Sequence, residues 1–243
     1  MDPREKKLPV SRRLRACETQ IRPGARVADI GCDHGYLAIE LLRTGRASFV
    51  HASDLREQPI KKAMANALRF GVADKIRFTQ ADGLRAVDPK EVDTIVCAGM
   101  GGDLIAEILD AAPWVKHKKY RLILQPQSSG NDLRRKLSED GFHIEKEVLV
   151  EDGGFLYQVL VVRYGHPEHL SPGQQYVCPR LIEAKDPLLE KYIERIDHAL
   201  ELTVEGIRRA RDPEAAEKLS YYETAWREVR EMRENYDKDQ RHL

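Results

Sequence analysis

The stretch Val27-Ala28-Asp29-Ile30-Gly31-Cys32-Asp33-His34-Gly35-Tyr36-Leu37-Ala38-Ile39-Glu40-Leu41-Leu42 is an apolar strand that ends in an Asp-x-Gly turn and runs straight into an apolar helix. Gly31 and Gly35 allow backbone to approach a ligand closely at that turn. Asp29 and Asp33 place carboxylates at the carboxyl end of the first strand, where open α/β sheets bind cofactors. A nicotinamide site would favour G-x-G-x-x-G, whose helix start faces a pyrophosphate. Here Asp33 stands where a diphosphate needs room and positive potential. A carboxylate in that turn suits the amino end of a zwitterionic methionine moiety better.

Outward from this turn, β-branched runs alternate with helix-like segments, which predicts a parallel sheet covered by helices and a Rossmann-like α/β class. The predicted strands are Arg26–Ile30, Ser48–Asp54, Lys75–Asp82, Asp93–Gly99, Tyr120–Pro126, Phe142–Glu151 and Leu156–Tyr164. Helices are expected between the first six, with Asp103 and Asn131 as candidate caps. The last two strands have no helix between them. They read as an antiparallel hairpin that reverses the final strand at the sheet edge.

Further acids fall at successive strand ends. Asp54 lies about 20 residues beyond the glycine turn, the distance at which an acidic group reaches a ribose diol. Ala81-Asp82-Gly83 ends the third strand, where an acid and its backbone can address the amino edge of adenine. The fourth ends in Cys97-Ala98-Gly99-Met100-Gly101-Gly102, a place where many enzymes that methylate exocyclic amines carry an Asn- or Asp-Pro-Pro-aromatic element. That element is missing. A glycine-rich loop lets backbone line the site and leaves space for a flat group. Gln125-Pro126-Gln127 adds amides able to read a base edge, and Cys97, with no activating neighbour, reads as buried and inert.

The chain has 243 residues, with 40 Lys and Arg balancing 40 Asp and Glu, so net charge does not mark a nucleic-acid binder. The neutrality hides a basic front end, from Arg4 to Arg26, and an acidic tail. Two further basic runs, Lys116-His117-Lys118-Lys119-Tyr120-Arg121 and Arg134-Arg135-Lys136, are candidate phosphate contacts. No stretch has the roughly 20 apolar residues of a membrane span, and the charged start lacks a signal-peptide core. Cys17, Cys32, Cys97 and Cys178 form no C-x-x-C pair, so neither a metal site nor a dithiol is expected, and reduced thiols in a cytoplasmic monomer are.

After Tyr164 a stretch rich in Pro, Gly and His reads as a connector over 166–185, leaving 1–165 as the cofactor-binding catalytic domain. Over 186–243, Leu189, Ile193, Ile196, Leu200, Ile207 and Ala210, then Ala215, Leu219, Tyr222, Trp226, Val229 and Tyr236, keep helical spacing on either side of Asp212-Pro213. An antiparallel, coiled-coil hairpin is expected, stable on its own seam, with Arg208, Arg209, Arg211, Arg227 and Arg230 candidate phosphate contacts.

Taken together, Val27 through Leu37, Asp82-Gly83-Leu84, Ala98-Gly99-Met100-Gly101-Gly102, Leu124-Gln125-Pro126 and Tyr157 resemble the bacterial tRNA (adenine(22)-N1)-methyltransferases over the whole chain. Gln58 and Gln127 stand where that family usually has Gly and Asn. The resemblance implies S-adenosylmethionine as cofactor, held by Gly31, Asp33, His34, Gly35, Asp54, Leu55, Asp82, Gly83, Ala98, Gly99 and Met100. It implies tRNA as partner and N1 of adenine as acceptor, with Asp29, Asp33 and Gln125 serving the base. Fold alone does not choose a substrate, so a small-molecule or protein methyltransferase and a noncatalytic nucleotide-binding module docking a protein are the competing readings.

Overall fold

In the computed structural model, which describes residues 8–166, 168–209 and 213–241, a helix outside the sequence expectation comes first. This helix, α1 (Arg12–Gln20), begins at Ser11, whose hydroxyl accepts from the Leu14 N–H, and Leu14, Cys17 and Ile21 pack on the sheet. Then follow β1 (Ala25–Ile30), α2 (Tyr36–Arg43), β2 (Ala47–Asp54), α3 (Glu57–Arg69), β3 (Ile76–Gln80), β4 (Thr94–Met100), α4 (Gly102–Asp110), β5 (Arg121–Pro126), α5 (Gly130–Glu139), β6 (Phe142–Asp152) and β7 (Phe155–Tyr164).

The sheet order is β3-β2-β1-β4-β5-β7-β6, with β7 antiparallel to both neighbours. This is the Rossmann-like α/β sheet that the sequence pattern predicts. The reversed strand therefore lies inside the sheet, and β6 takes the edge. Side-chain patterning explains the exchange: Val159 to Val162 of β7 are buried on both faces, whereas β6 alternates buried with exposed residues, as a strand at an edge can. Between β3 and β4 there is no helix. Asp82-Gly83 and Asp88-Pro89 break the short connection into turns.

Two cores sandwich the sheet. One gathers Val27, Val96, Ile123 and Val159 under α1, α2 and α3; the other gathers Ile95, Leu122, Leu124 and Leu160 under α4 and α5. Neither expected cap acts as one. Gly101 and Ser129 occupy the N-cap positions of α4 and α5, without side-chain caps, and Asp103 instead accepts from the Ser129 hydroxyl at 2.8 Å.

The chain continues through α6 (Pro172–Tyr176), α7 (Pro179–Glu183), α8 (Leu189–Arg209) and α9 (Pro213–Arg241), with α8 and α9 packed together. Ala210, Arg211 and Asp212 lie outside the described residues. A third core joins Leu189, Tyr192, Ile193, Leu200, Ala225 and Val229 to Leu149 of β6 and Leu156 of β7. The helices thus share their seam with the sheet. Polar ties reinforce this, since Glu228 of α9 accepts from the Ser171 hydroxyl at 2.6 Å and the Gly173 N–H at 2.7 Å.

Candidate active site

The carboxyl ends of β1, β2 and β4 enclose a cavity of about 400 Å3 lined by Asp29, Gly31, Asp33, His34, Asp54, Arg56, Ala98, Gly99 and Met100, together with Arg13 and Leu14 of α1. The turn after β1 is tight: Gly31 has φ of 70°, and a Cβ there would lie 2.9 Å from Met100 Cε. Glycine is required on both counts. Asp33 is itself left-handed, at φ of 47°, which Asp tolerates better than most residues.

Asp29 lies at the floor, 4% exposed, and its Oδ2 finds no hydrogen-bond partner among the described residues. Burial pushes its pKa up to about 7; a hydrogen bond from the Ala38 backbone opposes the rise and the charge of Asp54 adds to it. An orphaned buried carboxyl oxygen suits a cationic ligand group. Asp54 is also buried in the wall, accepting from the Asp33 N–H at 3.2 Å and from the Arg56 N–H at 3.0 Å. Its two oxygens retain lone pairs for a diol.

Arg13 closes the opposite wall. Its Nη1 reaches Gln125 Oε1 at 3.3 Å, its Nε lies 3.7 Å from Asp152 and its guanidinium carbon 5.8 Å from the Tyr157 ring centroid. A side chain at Gly99 would collide with it, 2.8 Å from Nη1. Sequence reasoning put Arg13 in a basic segment that could contact RNA phosphates. The helical spacing of Leu14, Cys17 and Ile21 was the available signal that this segment packs on the sheet.

Beyond Arg13 lies a second cavity, of about 440 Å3, lined by Pro126, Gln127, Ser128, Asn131, Phe155, Tyr157, Gln158, Tyr176 and Arg195. The two adjoin at Gly99, whose Cβ position is 3.7 Å from Gln127 Nε2, and the Gln127 N–H donates to the Met100 carbonyl at 2.9 Å. A cationic and an anionic wall on one side, and amides with aromatic rings on the other, provide for a zwitterion next to a flat polar ring.

Other expected residues stand elsewhere. Gln125 is fully buried: Oε1 accepts from the Gly99 N–H at 3.1 Å and Nε2 donates to the Pro126 carbonyl at 2.9 Å, so it braces the loop and does not reach a base. Gly35 packs against Ala63, where a Cβ would lie 2.9 Å from the alanine Cβ. Leu55 is two-thirds exposed outside the cavity. Asp82 and Gly83 line a separate cleft of about 130 Å3 with Leu84, Leu104 and Ile108. Cys97 is buried with its thiol pKa pushed up to about 12 by burial, and all four cysteines are free.

Among the described residues of the basic runs, Arg13 lines the first cavity and Arg134 the second. Lys116 to Lys119 precede β5, at the end of the sheet opposite the site. Arg121 pairs with Glu145, and Arg134 is buried against Glu147. No helix among the described residues is long and apolar enough to cross a membrane, and they include no cluster of metal-ligating side chains.

Residues 10–160 match the family described as Methyltransferase domain. The tRNA (adenine(22)-N(1))-methyltransferase of Bacillus subtilis (strain 168) is 34% identical over 214 residues, 85% of this chain and 89% of the relative. The crystal structure of the B. subtilis M1A22 tRNA methyltransferase TrmK superposes with a TM-score of 0.83 at 29% identity, covering 93% of this chain and all of the other. A Streptococcus pneumoniae candidate tRNA (m1A22) methyltransferase, solved in complex with S-adenosyl-L-methionine, gives 0.74 at 31% identity, over 88% and 98% of the two chains.

Proposed function

The chain belongs to the tRNA (adenine(22)-N(1))-methyltransferase family, and we propose that it transfers the methyl group of S-adenosylmethionine to N1 of an adenine in tRNA. The observation that carries this reading is the pair of adjoining cavities, with Arg13 and Asp29 lining one and Gln127 and Tyr157 the other. In the first, Asp29 would hold the ammonium of the methionine moiety, Arg13 its carboxylate and Asp54 the ribose diol. Gly31, Asp33, His34, Ala98, Gly99 and Met100 complete that wall.

When bound, the cofactor supplies an electrophilic methyl, which adenine N1 can take through its in-plane lone pair without prior deprotonation. The protein's task is then chiefly placement. Gln127 would grip the pairing edge and Tyr157 the base face, with Gln125 holding the Gly99 N–H and Arg13 in register from below. N1 methylation leaves positive charge that is relieved through N6, so an acceptor there favours the transition state over the ground state. With Asp29 committed to the ammonium, Asp33 and the carbonyls of the Ala98–Gly102 loop are the acceptors in reach of the cavity. A paired N1 edge must first leave its helix.

The four free cysteines accord with a reducing, cytoplasmic setting, and the exposed large apolar residues are scattered over several elements, as in a monomer. Incubation with labelled S-adenosylmethionine tests the reading. Label should enter a tRNA pool; label in small metabolites or protein in preference to tRNA would refute it.

A further inference from the structure

The β6–β7 hairpin closes through Gly153 and Gly154, both left-handed at φ of 58° and 83°, with Asp152 paired to Phe155. A two-residue turn with both φ positive matches the twist of its strands and fixes their register. Three contacts stiffen it further: Lys191 of α8 pairs with Glu151, Arg195 Nη1 donates to the Leu156 carbonyl at 3.1 Å, and the Arg13 N–H donates to Asp152 at 3.4 Å. At this fixed tip stands Phe155, 67% exposed. Its neighbour Leu156 is buried in the third core, so the strand had an apolar position to fill and Phe155 lies outside it.

Phe155 lines the second cavity, and its ring centroid is 6.4 Å from that of Tyr157, whose own ring lies beside Arg13. Tyr157 thus sits towards the cofactor cavity and Phe155 at the rim. Amides of Gln127, Asn131 and Gln158 line the space between them and α5. An exposed aromatic ring on a rigid support, beside amide groups and at the mouth of a site for an extruded base, has the chemistry of a base-stacking platform. A protein partner would call for a contiguous apolar patch, whereas here the residues flanking Phe155 are Gly154, Gly153 and the paired Asp152.

We propose that Phe155 stacks on the nucleobase of the RNA that is exposed when the target adenosine leaves its helix, holding the substrate open while the target lies against Tyr157. This rests on the RNA reading above. Stacking of this kind acts on RNA engagement alone, so it should not touch cofactor affinity.

The test is methyl transfer to a folded tRNA transcript by wild type and by Phe155→Ala, Phe155→Leu, Phe155→Tyr and Phe155→Trp, with S-adenosylmethionine affinity by calorimetry. The account expects kcat/KM about tenfold to a hundredfold lower for Phe155→Ala, a similar loss for Phe155→Leu, and near wild-type rates for the two aromatic variants, all with unchanged cofactor affinity. It also expects the added indole emission of Phe155→Trp to be quenched by the transcript. Wild-type rates in Phe155→Ala or Phe155→Leu, or an unquenched indole, would overturn the stacking role while leaving the enzyme's function intact. A wild-type chain that methylates no transcript would overturn both.

Discussion

Arg13 Nη1 lies 3.3 Å from Gln125 Oε1, joining the first helix to the fifth strand at the boundary between the two cavities. The same Gln125 oxygen accepts from the Gly99 N–H, so the cation and the loop after β4 are set by one buried amide. If Arg13 holds the cofactor carboxylate, Arg13→Ala should weaken S-adenosylmethionine binding about tenfold or more, and Arg13→Lys should restore part of it. Calorimetric titration decides this. Unchanged affinity in Arg13→Ala would move the carboxylate elsewhere.

Asp54→Ala should also lower cofactor affinity, by about tenfold to a hundredfold, through loss of charge-assisted bonds to the ribose diol. Because Asp54 also accepts from the Asp33 and Arg56 backbones, part of the loss will come through the turn itself. Asp54→Asn, which keeps an acceptor, should lose less. An Asp54→Ala protein with wild-type affinity would remove this carboxylate from the site.

The raised pKa of Asp29 gives a pH dependence with a definite sign. Only the ionised carboxylate pairs with an ammonium, so cofactor affinity should rise with pH through about 7. Stability of the cofactor-free protein should run the other way. A carboxyl whose pKa is higher folded than unfolded adds stability that is fully present below the unfolded value near 3.8 and is lost as pH climbs through about 7. Asp29→Asn should remove both trends, raising the melting temperature at pH 8 while abolishing tight binding. Titration at pH 6 and pH 8 with parallel melts is the measurement, and a flat affinity profile would count against Asp29 as the ammonium site.

Arg134 and Glu147 are both fully buried, with Arg134 Nε 3.1 Å from Glu147 Oε2. Arg134 also donates to the Gln175 carbonyl at 3.0 Å and to Gln158 at 2.8 Å, while Gln158 donates to the Tyr192 hydroxyl at 2.6 Å. The network ties α5 and the β6–β7 hairpin to α6 and α8. Removing one partner strands a buried charge, so Arg134→Met should cost about 3–5 kcal/mol in denaturant unfolding. The exposed Arg135→Ala should cost under about 1 kcal/mol, because its pair with Asp132 is solvated. Equal effects at the two positions would contradict this reading of the network.

Strand ends were the legible part of the site. Asp29, Asp33 and Asp54 follow apolar runs at spacings the fold dictates, and the cavity gathers all three. What sequence hid was which way long polar side chains turn. Arg13 and Arg134 both lie in basic clusters that read as surface contacts for RNA phosphates, yet each is drawn inward by a partner more than ten residues away, Gln125 and Glu147. Gln125 and Gln127 look equivalent on either side of Pro126, but Gln125 lies within the buried run of β5, whereas Gln127 follows the strand's end and lines the acceptor cavity. The helical pair followed from its seam spacing. Its attachment did not, because Leu149 and Leu156 carry no mark of the helices that cover them.

Digestion to nucleosides of a tRNA pool incubated with the protein and S-adenosylmethionine, followed by chromatography with mass detection, bears most directly on the central claim. The account predicts 1-methyladenosine, because the cavity beyond Gly99 presents Gln127 and Tyr157 and the loop after β4 has no Pro-Pro-aromatic grip for an exocyclic amine. N6-methyladenosine as the sole product, or no methylated nucleoside in tRNA, would contradict it.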